Sequence, residues 1–329
     1  MNVQNRTEGK HLAVPMKDVE GRPTVAVIVK YTFRATPRGR LELDEDGPEP
    51  RPIDVPNGDD PAKSSIRYPS DLFDRKPGTD VILVGRAYAR SGATQTDVTL
   101  RVGTVDKTVR AFGLRAWQRG TFGGVKPGPA LPIREPVPLV YELAWGGMDV
   151  SDPAKPLAEP RNYVGRGIAR DPAKLVDKPA SQLELPGKSD VPASFGAIHR
   201  HWQPRASFAG TYDDAWQKTR MPLLPRDFDA RFNVCVPHDQ RIVTPLRGGE
   251  PVEVSGATED GQWTFSLPRV TLGFTSLVGG ERRSHATHLD TVLVDAERRS
   301  VELTWRAVVP APDKLEQIDE IRIREDALP

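Results

Sequence analysis

The chain has 329 residues, with 46 basic against 45 acidic side chains and a formal net charge of +1, so no global field draws it to nucleic acid or to an anionic membrane. Its 32 prolines and 28 glycines exclude a fold dominated by long helices, and a single cysteine, Cys235, excludes an internal disulfide or a thiolate metal cage. The start has no apolar core for a signal peptide and no apolar run reaches membrane-spanning length, which gives the expectation of a soluble, cytoplasmic protein without cofactors.

In chain order, a polar start leads to Thr24–Phe33, rich in β-branched residues. Val25, Val27 and Val29 alternate with Ala26, Ile28 and Lys30, which predicts a strand buried on both faces until it emerges at Lys30. The acidic, Pro- and Gly-punctuated stretch Pro37–Pro61 reads as a mobile or edge-lying connection. Strands follow at Asp80–Ala89, Thr96–Gly103, Lys107–Phe112 and Pro138–Trp145; the middle two have hairpin spacing, and the short links point to antiparallel sheet. The Gly-rich stretch Thr121–Pro132 lacks the strand, helix and GK[ST] ending of a phosphate loop and reads as a turn-rich connection.

From Gly146 to Gln240 neither strand nor helical periodicity persists. Two short helices are expected, Pro172–Asp177 capped by Asp171 and Asp213–Arg220 stopped by Pro222. The core of this region, Phe195–Gln240, gathers Trp202, Trp216, four phenylalanines, three histidines and Cys235, and reads as an ordered loop pinned by its aromatic residues. Strands return at Pro251–Ser255, Gln262–Leu267, Val270–Phe274, His288–Val294 and Ser300–Val309, and the tail reads as a short helix near Leu315 followed by a strand at Ile321–Arg324. The fold expected is mainly β, one continuous domain of antiparallel sheets, sandwich or barrel-like. Its parts are 1–145 in strands, a loop-rich 146–240 with few short helices, and 241–329 in strands.

YELAWGG (Tyr141–Gly147), NYVGRGI (Asn162–Ile168), FGAIHRHWQPR (Phe195–Arg205), AGTYDDAW (Ala209–Trp216) and MPLLPRDFDARF (Met221–Phe232) occur in this order. With KPGTDVILVGRAYA (Lys76–Ala89) and FSLPRV (Phe265–Val270), they resemble the domain of unknown function 2169 family, found in bacterial type VI secretion gene clusters. One departure is LELP at Leu183–Pro186, where a Leu-Pro-Asn-like turn is expected. The resemblance implies an adaptor or chaperone that loads a toxin effector onto the secreted spike, with effector and spike proteins as partners. It supplies no catalytic residue.

The residues themselves leave other classes open. His199 and His201, with Asp213 and Asp214 close behind, could hold a zinc or iron ion in a metal-dependent or carbohydrate-directed enzyme, or could pack beside Trp202. Cys235, His238 and Asp239 could be drawn as nucleophile, base and orienter, although residues this close in one loop seldom meet in attacking geometry. Ser194 and Ser207 lack the setting of a nucleophile elbow, and His285 with His288 reads as solvent-facing or hairpin-capping. Arg166, Arg200, Arg205, Arg220, Arg226 and Arg231 are interleaved with Tyr163, Trp202, Tyr212, Trp216 and Phe228, the mixture used at the centre of protein interfaces, on single-stranded nucleic-acid platforms, which the near-zero net charge disfavours, and for tying down loop carbonyls. Tyr163, Arg166, Trp202, Arg205, Tyr212 and Trp216 are the candidate partner-binding residues. A structural component of the secretion assembly is the remaining reading.

Overall fold

The computed structural model describes residues 1–120 and 123–325; Thr121 and Phe122, at the start of the Thr121–Pro132 connection, lie outside the described residues. The protein is mainly β, built on three larger sheets, and no closed barrel forms among the described residues.

The largest sheet is organised by Pro23–Ala35, whose thirteen residues carry the β-branched run that favours extended backbone. It pairs antiparallel with Lys10–Lys17 on one side and with Ser300–Pro310 on the other. Thr287–Asp295 continues the sheet antiparallel, Thr79–Val84 then joins it in parallel, and Arg241–Ile242 closes the far edge. The second sheet is fully antiparallel, in the order Leu183–Glu184, Val105–Phe112, Gln95–Val102, Pro251–Ser255, Gln262–Ser266. The third holds Leu272–Val278 between Glu281–His285 and Ile318–Glu325, with Asn2–Arg6 added in parallel. One hydrophobic cluster takes side chains from all three, among them Val27, Val29, Leu83, Val98, Leu100, Val254, Phe274, Val294, Leu303 and Ile321.

Several sequence expectations are corrected. The polar start is strand, Asn2–Arg6 and Lys10–Lys17, sheltered in mixed composition because both lie at sheet edges, where Pro15 is also tolerated. Antiparallel pairing dominates but is not universal, since Thr79–Val84 and Asn2–Arg6 each run parallel to a neighbour. Pro138–Trp145 is interrupted: Val137–Pro138 pairs with Arg86–Ala87, a 3₁₀ turn occupies Tyr141–Leu143, and Trp145–Gly146 pairs elsewhere. Pro37–Pro61 does lie along an edge through Leu41–Leu43. Lys30 does not emerge from the sheet; it is 2% exposed.

The burial of Lys30 shows how the largest sheet is covered. Its one face, Val25, Val27, Val29, Val301, Leu303 and Val294, joins the main core. Its opposite face presents Ile28, Lys30, Thr32, Ile82, Leu293, Glu302, Thr304 and Arg306, all buried, beneath segments 50–76 and 195–240. A smaller core joins these layers through Ile66, Tyr68, Ile82, Val84, Ala197, Val234, Cys235, Val236 and Leu293.

Candidate functional site

The strings of the central region fit into one another. Asn162 is buried, and its side-chain amide donates to the carbonyls of Tyr141 and Trp145 at 2.9 Å each. Trp145–Gly146 pairs in parallel with Arg166–Gly167. Gly146 and Gly147 have φ of 142° and 105°, and a Cβ on them would stand 2.4 Å from the Asn162 carbonyl oxygen and 2.5 Å from that of Gly165. Only glycine combines that backbone with that approach. LELP forms its own turn, in which Lys188 N–H donates to Leu185 O at 2.9 Å.

Phe195–Arg205 threads between the sheet and the outer loops. Gln240 Nε2 donates to both Val81 O and Phe195 O at 2.8 Å, and Ile198 N–H donates to Cys235 O at 2.8 Å, so these polar groups are buried in partnered form. Trp202 is completely enclosed: Tyr141 meets it edge-on at 5.5 Å between centroids, and the ring of His199 lies 4.9 Å away. Arg205 is also buried, donating Nη1–H to Ile198 O at 2.6 Å and Nε–H to Phe232 O at 3.0 Å. Two of the candidate docking residues thus anchor the layer, out of a partner's reach in this conformation.

The histidines are brought together by a turn, closed by Trp202 N–H donating to His199 O, rather than by an extended segment. Their ring centroids are 5.1 Å apart. His199 Nε2 donates to the Ser64 carbonyl at 2.7 Å, and His201 Nε2 accepts from Trp202 Nε1–H at 3.1 Å. Burial, with help from His199 and Arg205, holds His201 below the usual imidazole range, in keeping with that acceptor role. Asp213 caps the helix Asp214–Thr219 by accepting from Trp216 N–H at 2.8 Å. Among the described residues no group of three or more His, Cys, Asp or Glu side chains is arranged to hold a metal ion.

The other catalytic drawings also come apart. Cys235 is buried, with Sγ 3.1 Å from Asp80 Oδ2, whereas His238 and Asp239 are exposed and Asp239 pairs with Lys107 at 3.1 Å. Burial pushes the thiol well up, the reverse of an activated nucleophile. Ser194 is buried against Leu139 O, and Ser207 donates to Pro204 O. His285 and His288 are half-buried rather than solvent-facing, bonded to Ser276 Oγ at 2.7 Å and to Lys76 O at 3.0 Å.

Sequence reasoning missed a seam of buried charge between the largest sheet and its covering layer. Lys76 Nζ lies 2.8 Å from Asp80 Oδ2 and donates to Thr291 Oγ1 at 2.9 Å, while Arg306 Nε donates to Asp290 Oδ2 at 2.7 Å. Nearby, Lys30 meets Asp71 and Glu302, and Arg51 clamps Glu302 with two bonds of 2.6 Å. The available signal was alternation of charge within apolar strands, as in Glu302, Thr304 and Arg306, which is indistinguishable from a solvated face until the covering layer is known. Burial alone would raise the Asp290 and Glu302 carboxyls, but Arg306 and Lys76 for the first, and Arg51 and Lys30 for the second, outweigh it and hold both below the usual range. A depressed folded-state value contributes stability above the unfolded value of about 4 and loses it as pH falls through the folded one. Urea midpoints are therefore expected to hold between neutral pH and about pH 5 and to drop below about pH 4, less steeply in Asp290→Asn.

The docking candidates that remain accessible lie at the outer end of the layer. Tyr212 is 53% exposed and stands edge-on to Trp216 at 4.7 Å, Met221 is 60% exposed, and Trp216 is held by Nε1–H donating to Leu223 O at 2.9 Å. Asp227 accepts from Thr211 N–H at 3.0 Å and from its hydroxyl at 2.7 Å, and Arg220 Nε donates to Leu224 O at 2.8 Å, so a fixed frame carries the aromatic pair. Tyr163 and Arg166 are half-buried; Tyr163 lies 5.9 Å from the His201 ring, and burial lowers the Arg166 guanidinium. Among the described residues no helix is long and apolar enough to cross a membrane.

A family model described as "Uncharacterized protein conserved in bacteria (DUF2169)" matches residues 20–306. No curated protein and no solved structure matches the chain. The matched span holds every interlocking string of the central region together with most of the largest sheet, and the chain belongs to the DUF2169 family.

Proposed function

We propose that the chain is a non-enzymatic, cytoplasmic adaptor or chaperone that binds a type VI secretion effector and assists its loading onto the spike. The observation that carries a binding role is the exposed pair Tyr212 and Met221 beside half-buried Trp216: large apolar side chains on a hydrogen-bonded frame, with the ordering cost already met before a partner arrives. Support against a catalytic use of the same layer is that His199, His201 and Cys235 are each engaged in internal bonds. The effector and the spike enter through the resemblance of the ordered strings to a family of secretion gene clusters.

The test is capture from cells that express the secretion cluster. Tagged protein should enrich effector and spike components over an unrelated bait. Tyr212→Ala combined with Met221→Ala should abolish that enrichment while leaving folding stability within the range of a neutral surface change, about 0.5 kcal/mol. Export of the effector unchanged after deletion of the gene would sink the proposal.

A further inference from the structure

Lys30, Asp71 and Glu302 meet where water is excluded. Lys30 sits in mid-strand on the largest sheet, Glu302 on the adjacent strand, and Asp71 comes from the covering layer; their side chains are 1%, 6% and 6% exposed. Lys30 Nζ is 2.5 Å from Asp71 Oδ2 and 3.3 Å from Glu302 Oε2. Arg51 N–H donates to Asp71 Oδ2 at 2.7 Å, and Thr304 Oγ1 lies 3.5 Å from Asp71 Oδ1. An amine, a carboxyl and a second carboxylate are thus fixed in one dry pocket, with donors on both oxygens of the carboxyl between them.

We propose that Lys30 and Asp71 are joined by an intramolecular isopeptide bond, formed in the folded protein with Glu302 relaying the proton. The Glu302 carboxylate takes a proton from the Lys30 ammonium, and the freed amine attacks Asp71 Cγ. The Nζ–Cγ bond forms as one Cγ–O bond breaks. That oxygen collects both protons lost by nitrogen and departs as water, so an ammonium and a carboxylate become an amide and one water with no oxidant or reductant. Arg51 N–H and Thr304 hydroxyl stand where charge builds on the tetrahedral centre. Fixed approach replaces the concentration that amide formation lacks in water.

The charge balance favours the product. Two cations, Lys30 and Arg51, face two anions, Asp71 and Glu302, and condensation removes one buried pair, leaving Arg51 bidentate on Glu302. Arg51 also fixes the Glu302 carboxylate with two bonds of 2.6 Å, leaving Oε2 3.3 Å from Lys30 Nζ. A second buried lysine is a useful contrast: Lys76 has one carboxylate, Asp80, within 4 Å among the described residues, and a thiol, Cys235, in the place of a relay.

The inference is independent of the adaptor reading and needs only the full-length chain. Its mass after complete unfolding should fall one water below the sequence mass, and a digest should contain a branched peptide joining the segments that carry Lys30 and Asp71. Lys30→Arg, which keeps the charge, and Glu302→Gln should each return the full mass. Wild-type protein that keeps the full sequence mass on prolonged incubation, with Lys30 and Asp71 recovered in separate linear peptides, would overturn the proposal. A water loss mapped to another pair, Lys76 and Asp80 included, would overturn it as well, and a cross-link persisting in Glu302→Gln would remove Glu302 from the mechanism. The wild-type peptide map is decisive even if a variant fails to fold.

Discussion

Trp202→Ala is expected to cost about 3–5 kcal/mol of folding stability, the range for removing a large aromatic from a closed core. The side chain is wholly enclosed, touches Tyr141, Tyr163, His199 and His201, and supplies the N–H that His201 accepts. Collapse around the gap is restrained because the flanking backbone is tied on both sides, by Ile198 N–H to Cys235 O and by Ala206 N–H to Trp202 O. Against a total stability of about 5–15 kcal/mol this is a large fraction, and soluble yield should fall with it. Trp216→Ala is the internal comparison. Trp216 is half-buried on a six-residue helix at the outer end of the layer and should cost about 1 kcal/mol, the ordinary range for a point change. Urea unfolding of the two variants separates packing from docking; equal losses at both positions would contradict the enclosure assigned to Trp202.

That contrast also marks what the sequence could reveal. The hairpin Gln95–Phe112, the strands near Pro251 and Ser300, and the capped helices at Asp171 and Asp213 were legible because period and capping are local properties. An aromatic-pinned ordered layer was legible from composition, and Trp202 does pin it. Which aromatics face outward was not legible, since Trp202 and Trp216 stand in similar polar surroundings in sequence and differ only in what folds over them. The same holds for Lys30. A lysine after five apolar residues reads as the point where a strand leaves the core, and it stays inside because Asp71 and Glu302, far away in sequence, are placed against it. The histidine pair came together, through a turn, but Nε2 of each ring is taken up, one by Ser64 O and the other by Trp202 Nε1–H, bonds that no spacing encodes.

The second large effect concerns the other half of the buried seam. Lys76→Met is expected to cost about 3–5 kcal/mol, because removing one member of a buried pair leaves the other charged and unsolvated. Asp80 is fully enclosed and would keep only its bonds from Cys235, the backbone N–H at 2.8 Å and the thiol at 3.1 Å. Burial alone would lower the Lys76 ammonium, yet the neighbouring charges, Asp80 first and Asp290 behind it, outweigh burial and hold it above its usual range. Asp80→Asn should be costly for the mirror reason, stranding Lys76 while still accepting from Cys235 N–H. The double variant Lys76→Met with Asp80→Asn removes both charges together and should recover at least about 1 kcal/mol relative to the sum of the singles, the signature of directly interacting residues in a double-mutant cycle. Urea unfolding at neutral pH measures all four corners. Additivity within about 0.5 kcal/mol, the behaviour of distant independent sites, would mean that the pair does not act as a unit. If recovery is seen, the seam is held by mutual compensation of charge. Covering segments 50–76 and 195–240 would then be fixed to the sheet in one register, since sliding the first would separate Lys76 from Asp80 and sliding the second would take the Cys235 N–H from the same carboxylate.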